Sequence, residues 1–492
     1  RFRQSHPQEP LPNLLKIMNR RNLLRSSLYA GTFSLLSPHA RAAGANGELR
    51  IVVIGVKGRG SAHINGVISH KKARLVGLCD IDTDQLDRRK TELEKRHKLT
   101  GLKTYTDYRK VCQDPEVDAI CIATCNHTHT LIALSAAAAG KHVYVEKPVS
   151  HNVWEGEKLA LGQADYGVTI AHGFQRRSEQ AWHDVFAWVK QGEIGKLTLA
   201  RGFCYKPRKS IGKVSAPVAP PKTVDYDLWS GPREVLPIRR SQFHYDWHWQ
   251  SPYGNGDLGN QGPHQLDVCR WALGDPMTYP AGFLTAGGRV GYDDDGDTAN
   301  TQILYIDAKP APILFEVRGL PKKGLNWKSG MPDYQGVTIG NVIEYEGGKI
   351  LGGHGGSCEV VDHDGKVIKK FKGSGNSIHN FIDDVLGGKQ DAVRGAENGH
   401  HSSALAHLGT HALNLGKMAD PDQIKAAFSK TPTLSDAHAR MQEHLAANGV
   451  TEGITLGVPL TTDGVRLTGE FAAAATKLDR ETYRKGFTLP NA

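Results

Sequence analysis

Cysteine is scarce in this chain: seven in 492 residues, at Cys79, Cys112, Cys121, Cys125, Cys204, Cys269 and Cys358. They are scattered and odd in number, with neither the paired spacing of a zinc ribbon nor the density of a disulfide framework, so they read as buried apolar fillers. No apolar run is long and unbroken enough to make a good membrane span, and no stable membrane insertion is expected. Lys and Arg are nowhere interleaved with aromatics in a tract, which removes the usual footprint of a nucleic-acid surface. No internal repeat is present, so a solenoid is excluded. The formal charge of +10 looks like an exception, but seven Lys and Arg against one acid fall within residues 1–42. The basic balance belongs largely to the leader.

That leader is informative in itself. Asn19-Arg20-Arg21-Asn22-Leu23-Leu24 precedes a modestly apolar stretch to Leu36, and Ala40-Arg41-Ala42 offers a small-residue cleavage site. It resembles a twin-arginine export signal, with residues 1–17 reading as sequence upstream of Met18. Residues 1–46 are therefore expected to be leader and linker, and the protein to be periplasmic or otherwise exported. A leader that is not a signal would leave it cytoplasmic.

Beyond the leader the chain alternates strand and helix, the pattern of a doubly wound α/β domain. Leu49 to Ile54 reads as a buried strand, Gly55-Val56-Lys57-Gly58-Arg59-Gly60-Ser61 as a glycine turn, and Ala62 to Ser69 as the start of a helix. A second strand, Ala73 to Cys79, ends at Asp80. This order is a dinucleotide fingerprint: N–H groups at a helix N-terminus hold a pyrophosphate, and the acid accepts hydrogen bonds from ribose hydroxyls. A carboxylate at Asp80 would repel a 2′-phosphate, so NAD is expected and NADP is less favoured. The strict G-x-G-x-x-G pattern is broken, because Lys57 occupies the position of its second glycine. A third unit, with Tyr105 and Tyr108 flanking Asp107, leads to the buried strand Ala119 to Ala123 and the loop Thr124-Cys125-Asn126-His127-Thr128-His129. With no carboxylate cluster nearby, the two histidines are expected to hydrogen-bond beside the cofactor and not to bind metal.

A small-residue helix, Leu131 to Ala139, then runs into Gly140-Lys141-His142-Val143-Tyr144-Val145-Glu146-Lys147-Pro148. The strand stops on an acid, an amine and a proline, at the end of the sheet where ligands bind, and the proline can fix a cis turn that aims Lys147 across the crevice. The glycine turn, Asp80, the 126–129 loop and residues 140–148 together resemble the Gfo/Idh/MocA family, that of glucose–fructose oxidoreductase and inositol dehydrogenase. The resemblance runs from residue 49 to about 430. It implies that Lys147 faces nicotinamide and substrate, held by Glu146. The cofactor site would comprise Gly55, Lys57, Gly58, Arg59, Gly60, Asp80, Thr124, Asn126, His129, Glu146 and Lys147.

A helix through Trp154 to Gly162 and a strand, Val168 to Ala171, lead to His172-Gly173-Phe174-Gln175-Arg176-Arg177-Ser178, which resembles the family's entry into its substrate domain; Arg176 is a candidate for a polar pocket. Residues 206–235 read as a long loop. Beyond it, Phe243-His244-Tyr245-Asp246-Trp247-His248-Trp249 is the densest aromatic patch in the chain. Rings with polar edges suit stacking on a sugar, which makes Tyr245, Trp247 and His248 substrate candidates. In Gly254 to Asp267, one helix is expected to place Asn260, His264 and Asp267 on a common face. The stretch resembles the family's D-x-x-x-H segment, whose histidine is the general base. By that match His264 is the base and contacts substrate, Asn260 replaces the usual aspartate, and Asp267 is available to support the imidazolium in its place.

From Gly282 to Val317 and Gly336 to Phe371, β-rich segments alternate with glycine turns, as in a large, open, mostly antiparallel sheet carrying helices on one face. The family commonly uses the other face between subunits, which implies a homo-oligomer, a dimer or tetramer. The fold class is thus an α/β chain: a Rossmann domain at 47–170, an α+β substrate domain at 171–430 and a C-terminal extension at 431–492. The resemblance implies an NAD-dependent oxidoreductase acting on a sugar, polyol or sugar derivative. Two other readings stand beside it: a glycoside hydrolase using bound NAD for transient oxidation, elimination and re-reduction, and a non-catalytic sugar-binding protein.

Overall fold

The computed structural model describes residues 47–353, 355–389, 391–480 and 482–490. The leader, with its twin-arginine stretch, lies outside them. No described helix is long and apolar enough to cross a membrane.

The N-terminal domain runs β1 (Leu49–Ile54), α1 (Arg59–Ile68), β2 (Ala73–Cys79), α2 (Thr83–His97), β3 (Lys103–Tyr105), α3 (Tyr108–Gln113), β4 (Ala119–Ile122), α4 (His129–Ala138), β5 (His142–Val145), α5 (Val153–Tyr166) and β6 (Ile170–His172). The near-continuous apolar runs of β1, β4 and β5 suit strands covered on both faces. Helix starts are written locally: Asp82 accepts from Asp84 N to cap α2, and Asn152 accepts from Glu155 N to cap α5. The six strands pair in parallel in the order β3-β2-β1-β4-β5-β6. Strand order reverses between β1 and β4, and a crevice opens there at the carboxyl ends.

After α6 (Gln180–Val189), the second domain is built on β7 (Leu197–Cys204). The short helices α7 (Tyr226–Ser230) and α8 (Gly256–Asn260) and the longer α9 (Gly262–Ala272) come next. They are succeeded by β8 (Gly282–Gly288), β9 (Thr301–Asp307), β10 (Ile313–Arg318), β11 (Ile339–Tyr345), β12 (Gly348–Gly352), β13 (Ser357–Val361), β14 (Val367–Lys372), α10 (Ser377–Leu386) and α11 (Ala396–Asn414). The chain ends with β15 (Lys417–Met418), α12 (Pro421–Phe428), α13 (Pro432–Ala447), β16 (Thr455–Leu456), β17 (Leu460–Thr462), β18 (Leu467–Thr468) and α14 (Ala472–Asp479). All twelve strands join one sheet, ordered β14-β13-β12-β11-β7-β10-β9-β8-β16-β15, with β17 on β8 and β18 on β17. Only β7 and β10 pair in parallel, so the sheet is mostly antiparallel as the glycine-punctuated sequence predicts.

Two expectations are corrected. Asn260, His264 and Asp267 do not share one helix: α8 ends at Asn260, and α9 begins beyond Gln261 with Pro263 in its first turn, where a residue without an N–H is tolerated. Nor are the helices confined to one face. α9 lies against β7, brought close because residue 202 is glycine: a Cβ there would sit 2.9 Å from Gln265 Cβ. On the opposite face, Leu434, Met441 and Leu445 of α13 pack with Ile303 of β9 and Leu314 of β10. The C-terminal extension is therefore part of the second domain's core.

Both domains are tied by the returning chain. α10 packs on α1, where a Cβ at Gly66 would meet Ile378 at 2.9 Å, and Tyr144 Oη of β5 meets Ser377 Oγ at 2.8 Å. α11 packs along α5 and α9. Six of the seven thiols are buried, and Cys125 is half-buried.

Candidate active site

The crevice beyond β1 and β4 encloses about 370 Å³, and its floor is the glycine turn. Gly55 has φ +85°, and a Cβ there would be 2.6 Å from Ala123 O; a Cβ at Gly60 would be 1.8 Å from Gly55 O. Neither position admits a side chain. Gly58, at φ +53°, instead faces open space, with nothing within 4 Å of where its Cβ would be. Close packing below and open space above the N-terminus of α1 are what a pyrophosphate needs. Lys57 and Arg59 line the rim. Asp80 stands at the end of β2 with Oδ2 accepting from Val56 N (3.0 Å) and Oδ1 from Asp82 N (3.1 Å). Burial raises its pKa against those two N–H bonds, and its carboxylate lines the crevice where a ribose diol binds. Asp107, Tyr108, Thr124 and Thr128 complete that wall, so these residues fit NAD.

The long loop forms the roof. Val224 bridges to Asp82, and Thr83 N donates to Thr223 O at 3.0 Å. Val224, Trp229, Ile238, Phe243, Trp247 and Tyr253 form an apolar cluster on Ile81 and Cys125, with the Arg240 guanidinium 4.4 Å from the Trp229 ring. His127 fastens this strap from below, its ring nitrogens 2.9 Å from Trp229 O and 3.3 Å from Tyr253 O. His244 Nε2 reaches Asp82 Oδ2 at 2.8 Å. The aromatic patch thus covers the dinucleotide crevice. Trp247 and His248 stack on each other (3.8 Å, 20°) in its wall, and Tyr245 is exposed at its edge.

Beside the crevice is the acid–amine–proline turn, with Lys147-Pro148 in cis. Its acid and amine point to different partners. Glu146 accepts from Arg59 Nε (2.7 Å), His63 Nε2 (2.9 Å), Gln175 Nε2 (3.0 Å) and Lys147 N (3.2 Å). Burial alone would raise its pKa; the bond from His63 and the charge of Arg59 outweigh this and hold it well below the carboxylate range. Lys147 Nζ is held by Asn260 instead, through the backbone carbonyl and through Oδ1 at 2.9 Å. Burial pulls the lysine down to about 8, with Arg59 and Arg208 adding to the effect against Glu146.

His264, near the start of α9, is half-buried and pushed well below its usual range, by burial first and then by Lys147. Its imidazole is thereby held toward the neutral form. Asp267 does not support it: its carboxylate accepts from Arg177 Nε and Nη2 (both 2.8 Å) and from Ser402 Oγ (2.8 Å), a buried structural pair. His129 is also a positioning residue. Both its ring nitrogens face backbone oxygens, Pro148 O at 2.7 Å and Thr124 O at 3.1 Å, so it clamps the Lys147 turn without reaching the crevice. Asn126 donates to Asn255 Oδ1 (2.8 Å) below α8, and Arg176 is paired with Glu179 at 2.6 Å.

Sequence reasoning missed His63 and Gln175 on Glu146, Trp229 in the roof, and the pair Arg208–Asp257 (3.1 Å) beside Lys147. Asp257 lies in the glycine-rich segment before His264, and its acid among small residues was the available signal.

Comparisons with known proteins agree with this geometry. Residues 49–174 match the family described as GFO_IDH_MocA, "Oxidoreductase family, NAD-binding Rossmann fold". The chain is 30% identical over 153 residues to myo-inositol 2-dehydrogenase of Thermotoga maritima, covering 31% of this chain and 44% of that protein. It is 27% identical over 171 residues to levoglucosan dehydrogenase of Pseudarthrobacter phenanthrenivorans, covering 35% and 36%. It thus spans less than half the length of either relative. Among solved structures, the WlbA dehydrogenase of Bordetella pertussis superposes with a TM-score of 0.52 at 17% identity, over 74% of this chain and 95% of that one. Scyllo-inositol dehydrogenase of Lactobacillus casei gives a TM-score of 0.50 at 19% identity, over the same shares. Those two likenesses establish the fold. Residues 49–174 form an NAD-binding Rossmann domain of the kind this oxidoreductase family carries.

Proposed function

We propose that the chain is an NAD-dependent oxidoreductase of the Gfo/Idh/MocA family that acts on a sugar, polyol or sugar derivative. The observation that carries this is the meeting, beside a dinucleotide crevice, of a lysine anchored by Asn260 and a histidine kept neutral by burial. Bound NAD supplies a two-electron acceptor for a hydride. Neutral His264 takes the hydroxyl proton, and Lys147 donates a hydrogen bond to the same oxygen, stabilising the negative charge that grows there. Asn260 orients the ammonium but, being uncharged, does not stabilise an imidazolium as an aspartate would. The inositol and levoglucosan dehydrogenases among its relatives support a polyhydroxylated substrate.

A second reading is supported by the strap. Its bridge to Asp82 and its aromatic roof enclose the crevice, which favours a cofactor retained between turnovers and a redox-neutral glycoside cleavage by oxidation, elimination and re-reduction. The Arg20-Arg21 leader supports export, where no free NAD pool exists, and cell fractionation of wild type against Arg21→Lys tests it. One experiment separates the readings. Purified protein is denatured and its supernatant assayed for NAD, while native protein is incubated with free sugars and glycosides. NADH formed from a free sugar establishes the oxidoreductase, and aglycone release without net NADH establishes the hydrolase. Sugar binding with no NAD bound or bindable would leave only a binding protein.

A further inference from the structure

The cleft side of β7 holds more positive charge than its neighbours neutralise. Phe203 and Tyr205 point to the far face, packing with Val337 and Val342. Gly202 and Cys204 point to the near one, toward Gln265 of α9 and toward a cluster of Lys147, Lys206, Arg208 and Asp257 around the Cys204 thiol. Extended pairing continues past the strand end, with Tyr205 N donating to Thr338 O, so residue 206 projects to the catalytic side.

The cations there are unequally served. Arg208 is paired with Asp257 at 3.1 Å and donates through Nη1 to Tyr245 Oη at 3.1 Å, while Arg59 and Arg176 have Glu146 and Glu179. Lys147 is held by the neutral Asn260. Lys206 is half-buried and makes no hydrogen bond or close ion pair among the described residues; the carboxylate whose charge reaches it, Asp257, is already paired with Arg208. A partly desolvated ammonium that must share one carboxylate with a guanidinium is costly to keep. Its place beside the reacting groups gives it a use only if the ligand brings the missing charge.

We propose that this site takes a sugar bearing a carboxylate, a uronate or aldonate, and that Lys206 is the residue that selects it, with Arg208 alongside. The proposal rests on the sugar-oxidoreductase reading above. A single negative charge is the match, since Arg208 and Lys206 share the one carboxylate of Asp257.

The test uses NAD-loaded protein and isothermal titration with matched probes: glucuronate, galacturonate and gluconate against glucose, galactose and glucose 6-phosphate. NADH formation is followed on the same samples. At least one carboxylated sugar is expected to bind about ten- to a hundredfold tighter than its neutral counterpart, the range for a hydrogen bond to a charged group. In Lys206→Met that ratio should collapse toward one, with NAD content reporting an intact fold. Equal or tighter binding of every neutral sugar, a preference for the phosphate, or a ratio that survives Lys206→Met would each overturn the assignment. NADH from a neutral sugar without carboxylate preference overturns this inference alone, whereas failure of every sugar to bind NAD-loaded protein overturns the oxidoreductase reading with it.

Discussion

Glu146 and Lys147 are neighbours in the chain and part company in space, and the site's chemistry depends on that divergence. Glu146 turns back to Arg59 and His63, while Lys147 reaches across to Asn260 in the other domain. Lys147→Met should lower turnover by about a hundredfold or more, the contribution typical of a positioned acid–base group. Affinity for added NAD should stay near that of the wild type; full activity would sink the role given to the lysine. A pH profile tests its ionisation. With Lys147 drawn down to about 8, raising the pH through that value removes the proton it donates, so kcat/KM should fall on the alkaline side with an apparent pKa near 8. His264 is already neutral well below pH 6.5, so little rise is expected between pH 6 and 7. The identities of these residues were legible in sequence because short motifs carry them. Their partners were not, since i, i+1 adjacency says nothing about where two side chains end. Asp267 shows the same limit: it serves Arg177, and Asp267→Ala should cost about 3–5 kcal/mol by leaving that guanidinium buried and half-paired. Denaturant unfolding measures it, and a loss below about 1 kcal/mol would contradict the pairing.

At the scale of elements, the strap closes over the cofactor crevice. It touches the Rossmann domain through the Val224–Asp82 bridge, the His244–Asp82 contact and the His127 clasp. His244→Ala removes one side-chain anchor while leaving the aromatic cluster in place. NAD release, followed by stopped-flow fluorescence, should speed up about tenfold, a charged hydrogen bond's worth. An unchanged release rate would mean that the strap does not gate the crevice. The aromatic run at 243–249 was visible in sequence, but its alternation of rings and polar edges fits a cofactor roof as well as a sugar platform, and its closure over the crevice rests on the long-range bridge to residues 81–83. The break between α8 and α9 does have a local sign: Pro263 belongs in a helix's first turn, so a helix beginning there cannot also hold Asn260 inside it.

Over the whole molecule, the Rossmann half was legible because each βαβ unit closes on itself within some thirty residues. The covering of the second sheet was not, because α13 meets strands more than a hundred residues earlier. Its attachment is partly ionic: Glu316 of β10, fully buried, accepts from Arg440 Nη2 (2.7 Å) and Nη1 (2.9 Å) and from Arg318 Nη2 (2.8 Å). α13 therefore covers β9 and β10 on the sheet face opposite α9. Arg440→Met leaves Glu316 with Arg318 and the Tyr205 hydroxyl (2.9 Å) and should destabilise the protein by about 3 kcal/mol, toward the low end for breaking a buried pair. Loosening α13 uncovers Ile303, Leu314 and Met441, so the variant should also bind an apolar dye and show higher mass by light scattering at rising concentration. Lost stability with unchanged mass and no dye binding would show that α13 stays on the sheet without its latch, held by its apolar face alone.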